Sequence, residues 1–148
     1  MIKYTEEKFG EFLEEMKHIL PDHYDELSVS KSFPLSPDFS LYLKLQESGN
    51  LICITARDEG VLAGYIIFIV QPHLHYTTCL TAIDDVYFVK KEYRTGRTGL
   101  RLFQKAEEVL KQHNVQRILL SCKIHLDHSK LFEYLGYKHI EKVYDKLL

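Results

Sequence analysis

The sequence predicts an α/β fold with a mixed, mostly antiparallel central sheet and helices on both faces. Two amphipathic helical stretches precede a run of β-branched, apolar segments. A strand–helix–strand unit follows, which calls for a parallel crossover in an otherwise hairpin-built sheet. With 45% apolar and 27% charged side chains, the 148 residues have the composition of one ordinary globular domain spanning 1–148.

Taken in order, residues 5–20 place Phe9, Phe12, Leu13, Met16, Ile19 and Leu20 three and four apart, which makes one face of a helix. Thr5 with Glu6 and Glu7 is the expected helix start, and Pro21 falls just past the expected end. A second helix opens at Ser36-Pro37-Asp38, turns Phe39, Tyr42 and Leu45 inward and stops at Gly49-Asn50. Residues 51–57 and 61–70 read as strands joined by the tight turn Asp58-Glu59-Gly60. Residues 78–89 form a third long strand, and 90–97 a polar loop. Residues 99–113 are helical, with Leu100, Phe103, Ala106, Val109 and Leu110 on one side. A strand over 115–122, a short helix over 129–135 ended by Gly136, and a closing strand over 137–148 complete the order α α β β β α β α β. No repeat, linker or low-complexity tract interrupts it.

Composition narrows the function. A net charge of −2 gives no global positive field, so no nucleic-acid partner is expected. The apolar stretch 61–70 is far too short to span a bilayer, and the acidic start without an apolar core predicts neither a signal peptide nor a membrane role. Cys53, Cys79 and Cys122 are odd in number and widely spaced. They read as reduced thiols of a cytoplasmic protein, not as a disulfide frame or a zinc site. His125 and His128 stand three apart without a third ligand nearby, so no metal is expected. His73 and His75 read as loop histidines.

Residues 85–102 carry the chemistry. A strand runs into a loop rich in Gly, Arg and Thr, and a helix opens directly from it. The first turn of a helix leaves backbone N–H groups unpaired at the positive end of the dipole, and glycines let that backbone approach an anion closely. A Walker A loop is excluded because Leu100 follows Gly99. A G-x-G-x-x-G fingerprint is excluded because Gly96 and Gly99 are the only glycines of this loop. An ordinary strand-to-helix turn is the competing reading.

The run Val86-Tyr87-Phe88-Val89, the link containing Tyr93-Arg94 and the glycine loop together resemble the pyrophosphate motif of the GCN5-related N-acetyltransferase (GNAT) family. The later run Leu131-Phe132-Glu133-Tyr134-Leu135-Gly136-Tyr137 is similar to its Leu-Tyr-Glu-x-Leu-Gly-Phe signature. The order of elements resembles the family as well. The resemblance implies a GNAT-like fold and acetyl-CoA as cosubstrate, with direct transfer of the acetyl group to an amine on a small molecule or peptide. It implies that Arg94, Thr95, Gly96, Arg97, Thr98 and Gly99 hold the CoA pyrophosphate, and that Tyr87, Phe88 and Val89 line the pantetheine arm and the thioester. Backbone donors near Phe88 and Val89 polarise the thioester oxygen. His125 aligns with a family asparagine beside the cofactor. Family sheets often pair, so a homodimer is compatible with it.

Two departures stand out. Arg97 occupies the motif's middle glycine position, with glycine moved to 96. Phe132 stands on the cofactor side where the family often has the tyrosine that protonates the departing thiolate. Proton return then falls to water, to His125, or to Tyr134 if the local helix is irregular. An alkyl amine titrates near 10.4, so at pH 7 roughly one in 2,500 is free base, a handicap of about 4–5 kcal/mol. A general base is the usual remedy. Asp84 or Asp85, expected on opposite faces of the central strand, is the candidate, with anchoring of a cationic acceptor as the other role. The rival to catalysis is a regulatory or interaction module that keeps CoA binding and has lost turnover.

Overall fold

The computed structural model describes residues 1–148. Strands β1 (Ile2–Glu6), β2 (Leu51–Asp58), β3 (Val61–His73), β4 (Tyr76–Val89) and β5 (Arg117–Leu119) lie side by side in chain order. The first three pairings are antiparallel and β4–β5 is parallel. The parallel pair follows from the crossover through α3 (Thr98–Gln112). Helices α1 (Phe9–Leu27) and α2 (Phe39–Glu47) cover one face, and α3 and α4 (Ser129–Tyr134) the other. This is the expected mixed, mostly antiparallel α/β arrangement.

The strands are apolar on both faces because both are covered. Ile52, Ile54, Ile66, Phe68 and Val70 pack against Leu102, Phe103, Ala106, Val109 and Leu110 of α3. Leu51, Cys53, Tyr65, Ile67 and Phe88 pack against Phe9, Phe12, Met16 and Ile19 of α1. The β2–β3 turn has Glu59 at φ 49° and Gly60 at φ 89°, two successive left-handed residues of the kind a tight hairpin turn requires. At the N-terminus of α2, Asp38 accepts a hydrogen bond from the Leu41 amide at 3.0 Å, so the cap is Asp38 and not Ser36.

Three expectations are corrected. The first helix does not begin at Thr5. Residues Ile2–Glu6 form β1, paired from Ile2↔Asp58 to Glu6↔Ile54, and the helix starts beyond Lys8, whose amide donates to Glu11 at 2.7 Å. Nor does it end at Pro21. It runs on to Leu27, at the cost of the one backbone donor that proline lacks. The closing strand over 137–148 does not form: β5 is three residues long, and Ile140, Val143 and Tyr144 lie 62%, 83% and 87% exposed. So short a strand offers little edge on which another could be registered.

Arg57 ties β1, β2 and α1 together. Its guanidinium donates to Glu7 (2.7 and 3.0 Å), to Glu15 (3.0 and 2.7 Å) and to the Gly60 carbonyl (2.8 Å), so all five N–H groups are used. Burial would raise the Glu7 carboxyl. Bonds from Arg57 and Thr55 and the Arg57 charge outweigh that and hold it below its ordinary value.

Gly64 of β3 lies opposite Val89 of β4. A Cβ there would stand 2.6 Å from the Phe88 carbonyl oxygen and 3.1 Å from the Val89 Cα, and both are backbone atoms of a central strand. Gly64→Ala is expected to lose about 1–3 kcal/mol in a urea melt, because the strand end must move to admit one methyl. An unchanged midpoint would show that the β4 end is free to shift.

Candidate functional site

The site begins where β4 loses its neighbour. β5 pairs with β4 only over Thr81↔Arg117, Ala82↔Ile118 and Ile83↔Leu119, and beyond this the two segments part. The register against β3 also breaks here: Ile67 faces Val86 while Phe68 faces Asp84. Asp85 is therefore the extra residue of a β-bulge, a feature that re-aims side chains. The two carboxylates turn to different partners, as strand alternation suggested. Asp85 is exposed and accepts a hydrogen bond from the Tyr42 hydroxyl of α2. Asp84 reaches the other way, to Ser121 just past β5, where Oδ1 accepts from the amide at 3.0 Å and Oδ2 from the hydroxyl at 3.1 Å.

Asp84 is half-buried. Burial pushes its carboxyl up to about 6; the Ser121 bonds counter part of that rise, while the Asp85 charge adds to it. Tyr87 also bridges the gap, donating its hydroxyl proton to the Ser121 carbonyl at 2.9 Å, with His128 Nδ1 at 3.1 Å on the same oxygen. Its ring packs edge-on against Phe103 and Phe132. Thus Asp84, Tyr87, Ser121 and His128 form one polar cluster in the mouth between β4 and the segment after β5.

The loop beyond β4 continues this surface. After a 3-10 turn at Lys91–Tyr93, the amides of residues 95–100 bind no acceptor in the protein, and the first helical bond of α3 is Arg101 N–H to the Arg97 carbonyl. Six successive amides are thus left without an acceptor in the protein. Gly96 has φ 71° and is required by the turn. Gly99 is different: it has no left-handed φ, and an added Cβ would meet nothing within 4 Å. Nothing in the packing demands glycine there, and its bare backbone leaves the amides approachable. Arg97 and Arg101 are exposed and form no ion pair. These free amides and cations fit a diphosphate anion.

Arg94 has a different role from its neighbours. Its guanidinium pairs with Glu26 at the end of α1 (2.7 and 2.8 Å), donates through Nε to the Val89 carbonyl at 2.8 Å and lies over the Phe88 ring at 5.2 Å. The side chain therefore anchors the loop and does not point free for a ligand. Thr98 is buried and bonds the Thr95 carbonyl at 3.5 Å.

The remaining residues singled out in the sequence separate. His125 Nε2 lies 2.9 Å from the Glu26 carbonyl, a tether to α1. Tyr134 is 75% exposed, off the face of α4 that carries Phe132, and Phe132 itself is 8% exposed in the aromatic core. No group of three or more His, Cys, Asp or Glu side chains is placed to hold a metal ion, and no helix is long and apolar enough to cross a membrane. Sequence reasoning missed Tyr42, Ser121 and Glu26 as partners, because each meets its mate across more than thirty residues. It weighed His128 only as a metal ligand.

The model of the acetyltransferase (GNAT) family matches residues 13–137. No curated protein matches the sequence. Among solved structures, a ribosomal-protein-alanine N-acetyltransferase from Brucella melitensis biovar Abortus 2308 superposes with a TM-score of 0.74 at 16% identity, covering 100% of this chain and 99% of that one. An aminoglycoside acetyltransferase from an uncultured soil metagenomic sample gives 0.77 at 15% identity, with 100% and 99% coverage. A predicted acetyltransferase from Clostridium acetobutylicum, in a structure with acetyl-CoA, gives 0.67 at 10% identity, with 99% and 96% coverage. At these identities the likeness speaks for the fold.

The raised Asp84 carboxyl has a sign that can be checked. Its folded pKa lies above the ordinary 3.8, so the folded state holds this proton more tightly than the unfolded chain. That contribution to stability is complete below about pH 4 and is lost as pH rises through about 6. Carboxyl carbon NMR should show Asp84 titrating near 6, and Ser121→Ala should move it further up by removing one of the bonds that favour the charged form.

Proposed function

The chain belongs to the acetyltransferase (GNAT) family, and from that premise we propose that it transfers an acetyl group from acetyl-CoA to an amine by direct attack, without a covalent enzyme intermediate. The observation that carries the reading is the row of free amides over residues 95–100, opened by Gly99 and flanked by Arg97 and Arg101. It suits the CoA pyrophosphate. The pantetheine arm then follows the part of β4 that has no strand beside it, at Tyr87, Phe88 and Val89, and the thioester reaches the bulge. Backbone donors near Phe88 and Val89 polarise the thioester oxygen as negative charge develops there.

The acceptor enters from the α2 side, where Asp85 and Tyr42 meet. Asp85 is the better base of the two candidates on access: it is exposed at the bulge, whereas both Asp84 oxygens already bind Ser121. It attracts a cationic amine and takes the proton that must leave before attack. One solved neighbour is named for a ribosomal-protein alanine and another for aminoglycosides. Both small-molecule and peptide amines therefore belong in the test panel. A second reading, a CoA-binding module without turnover, draws on Phe132, which puts a core side chain where a phenol would serve.

Calorimetry with acetyl-CoA tests the donor half. Saturable binding is expected, and its absence at about 1 mM ligand would sink the reading. Gly99→Val should weaken binding by about tenfold, roughly 1.4 kcal/mol, with the melting temperature unchanged because the new side chain meets open space. Thiol release against an amine panel tests the transfer half, and binding without any release selects the module. With an active acceptor, Asp85→Asn should lower kcat/KM by about 10²–10³-fold while leaving acetyl-CoA affinity intact. An equal loss from Asp84→Asn alone assigns the base role to that carboxylate.

A further inference from the structure

Resting on the acetyl-transfer reading, we infer that His128 is the proton carrier for the departing thiolate, held in its working tautomer by Tyr87 and the Ser121 carbonyl.

The geometry fixes the protons. The Ser121 carbonyl oxygen, 2.9 Å from the Tyr87 hydroxyl, can only accept, so the phenol proton is directed there. The Tyr87 oxygen then has lone pairs left for the 3.1 Å contact with His128, and Nδ1 must be the nitrogen that donates. In the neutral ring this leaves Nε2 without hydrogen. Nε2 has no partner in the protein and is not among the buried, unpartnered atoms, so it faces solvent-accessible space. His128 packs edge-on against Tyr87 (5.6 Å between centroids) and beside Phe132 (6.4 Å). It thus stands beside both rings at the mouth between β4 and the segment after β5.

Acetyl transfer from a thioester to an ammonium group moves two protons. The first leaves the ammonium before attack. After attack, the nitrogen of the tetrahedral adduct carries one proton too many, and the sulfur needs one. Neutral His128 accepts that proton at Nε2 and becomes imidazolium. As the C–S bond breaks and its electron pair goes to sulfur, Nε2–H returns the proton to the thiolate. The amide and the free thiol are left, and His128 is neutral again. The other proton, taken from the ammonium by Asp85, passes to solvent in each cycle. Burial and the Arg94 charge lower the imidazole's affinity for a proton against the opposing pull of Asp127 and Glu26, and Tyr87 is the remaining titratable group in contact with the ring. The ring is therefore neutral at the start of the cycle.

Two experiments decide the matter. Nitrogen-15 NMR of the free protein should show His128 neutral at pH 7 with the proton on Nδ1. A proton on Nε2 overturns the inference whether or not an acceptor is known. With an active amine, His128→Gln should lower kcat by about 10²–10³-fold with KM for acetyl-CoA within about threefold. It should also change the acidic limb of the kcat–pH profile, leaving only the part set by Asp85, and added imidazole should restore part of the rate to His128→Ala. Tyr87→Phe, which keeps the ring packing, should lower kcat by about tenfold by releasing the tautomer. A His128→Gln enzyme with unchanged kcat and pH profile overturns this role and leaves the transferase reading standing. A wild-type protein that releases no thiol with any amine overturns both.

Discussion

The molecule is organised around the place where β4 stops having a neighbour. Three residue pairs join β4 to β5, and then backbone pairing ends while the strand continues for six residues to Val89. A buried edge with unpaired N–H and C=O groups is costly unless something replaces the ladder. Here side chains tie the two segments together. Asp84 and Tyr87 reach across to Ser121, and Arg94 folds back onto the Val89 carbonyl. The gap is kept open by polar ties that fix its width without filling it. An extended ligand arm that hydrogen-bonds like a strand would find there what β5 withholds.

The bulge at Asp85 performs a related task. By inserting one residue into β4 opposite Ile67 and Phe68, it gives neighbouring carboxylates separate environments: one solvated against Tyr42, one half-buried against Ser121. Adjacent identical side chains in a regular strand would also face opposite ways. The added feature is that one stays accessible to an incoming amine while the other becomes part of the frame.

The fold was largely legible because its strongest signals are periodic. The 3.6-residue spacing of Phe9, Phe12, Met16 and Ile19, and the β-branched runs of β2 and β3, depend on burial that any such layered sheet imposes. The errors arose where a tertiary partner decides. Ile2–Glu6 is too short and too charged to announce itself as a strand and becomes one by pairing with β2. The continuation of α1 through Pro21 likewise depends on what packs beyond it, with His23 buried at 3% exposure against Phe88 and Tyr65. Residues 137–148 carry the right side chains for a strand and lack a ladder to join. At the site, the glycine loop was readable because its chemistry is local. The Asp85 bulge was not, since a one-residue insertion leaves no trace in composition. The orientation of His128 depends on a carbonyl seven residues away and a phenol on β4, and spacing alone suggested only a metal.

The Arg94–Glu26 pair has a consequence for how the loop can move. It joins the last turn of α1 to the start of the loop that leads into α3, while the same guanidinium grips the end of β4. The loop cannot shift without breaking a doubly bonded ion pair or taking the helix end with it. A displacement at either end of that contact is therefore felt at the other, and a change that breaks the pair frees the loop, the end of β4 and the end of α1 together.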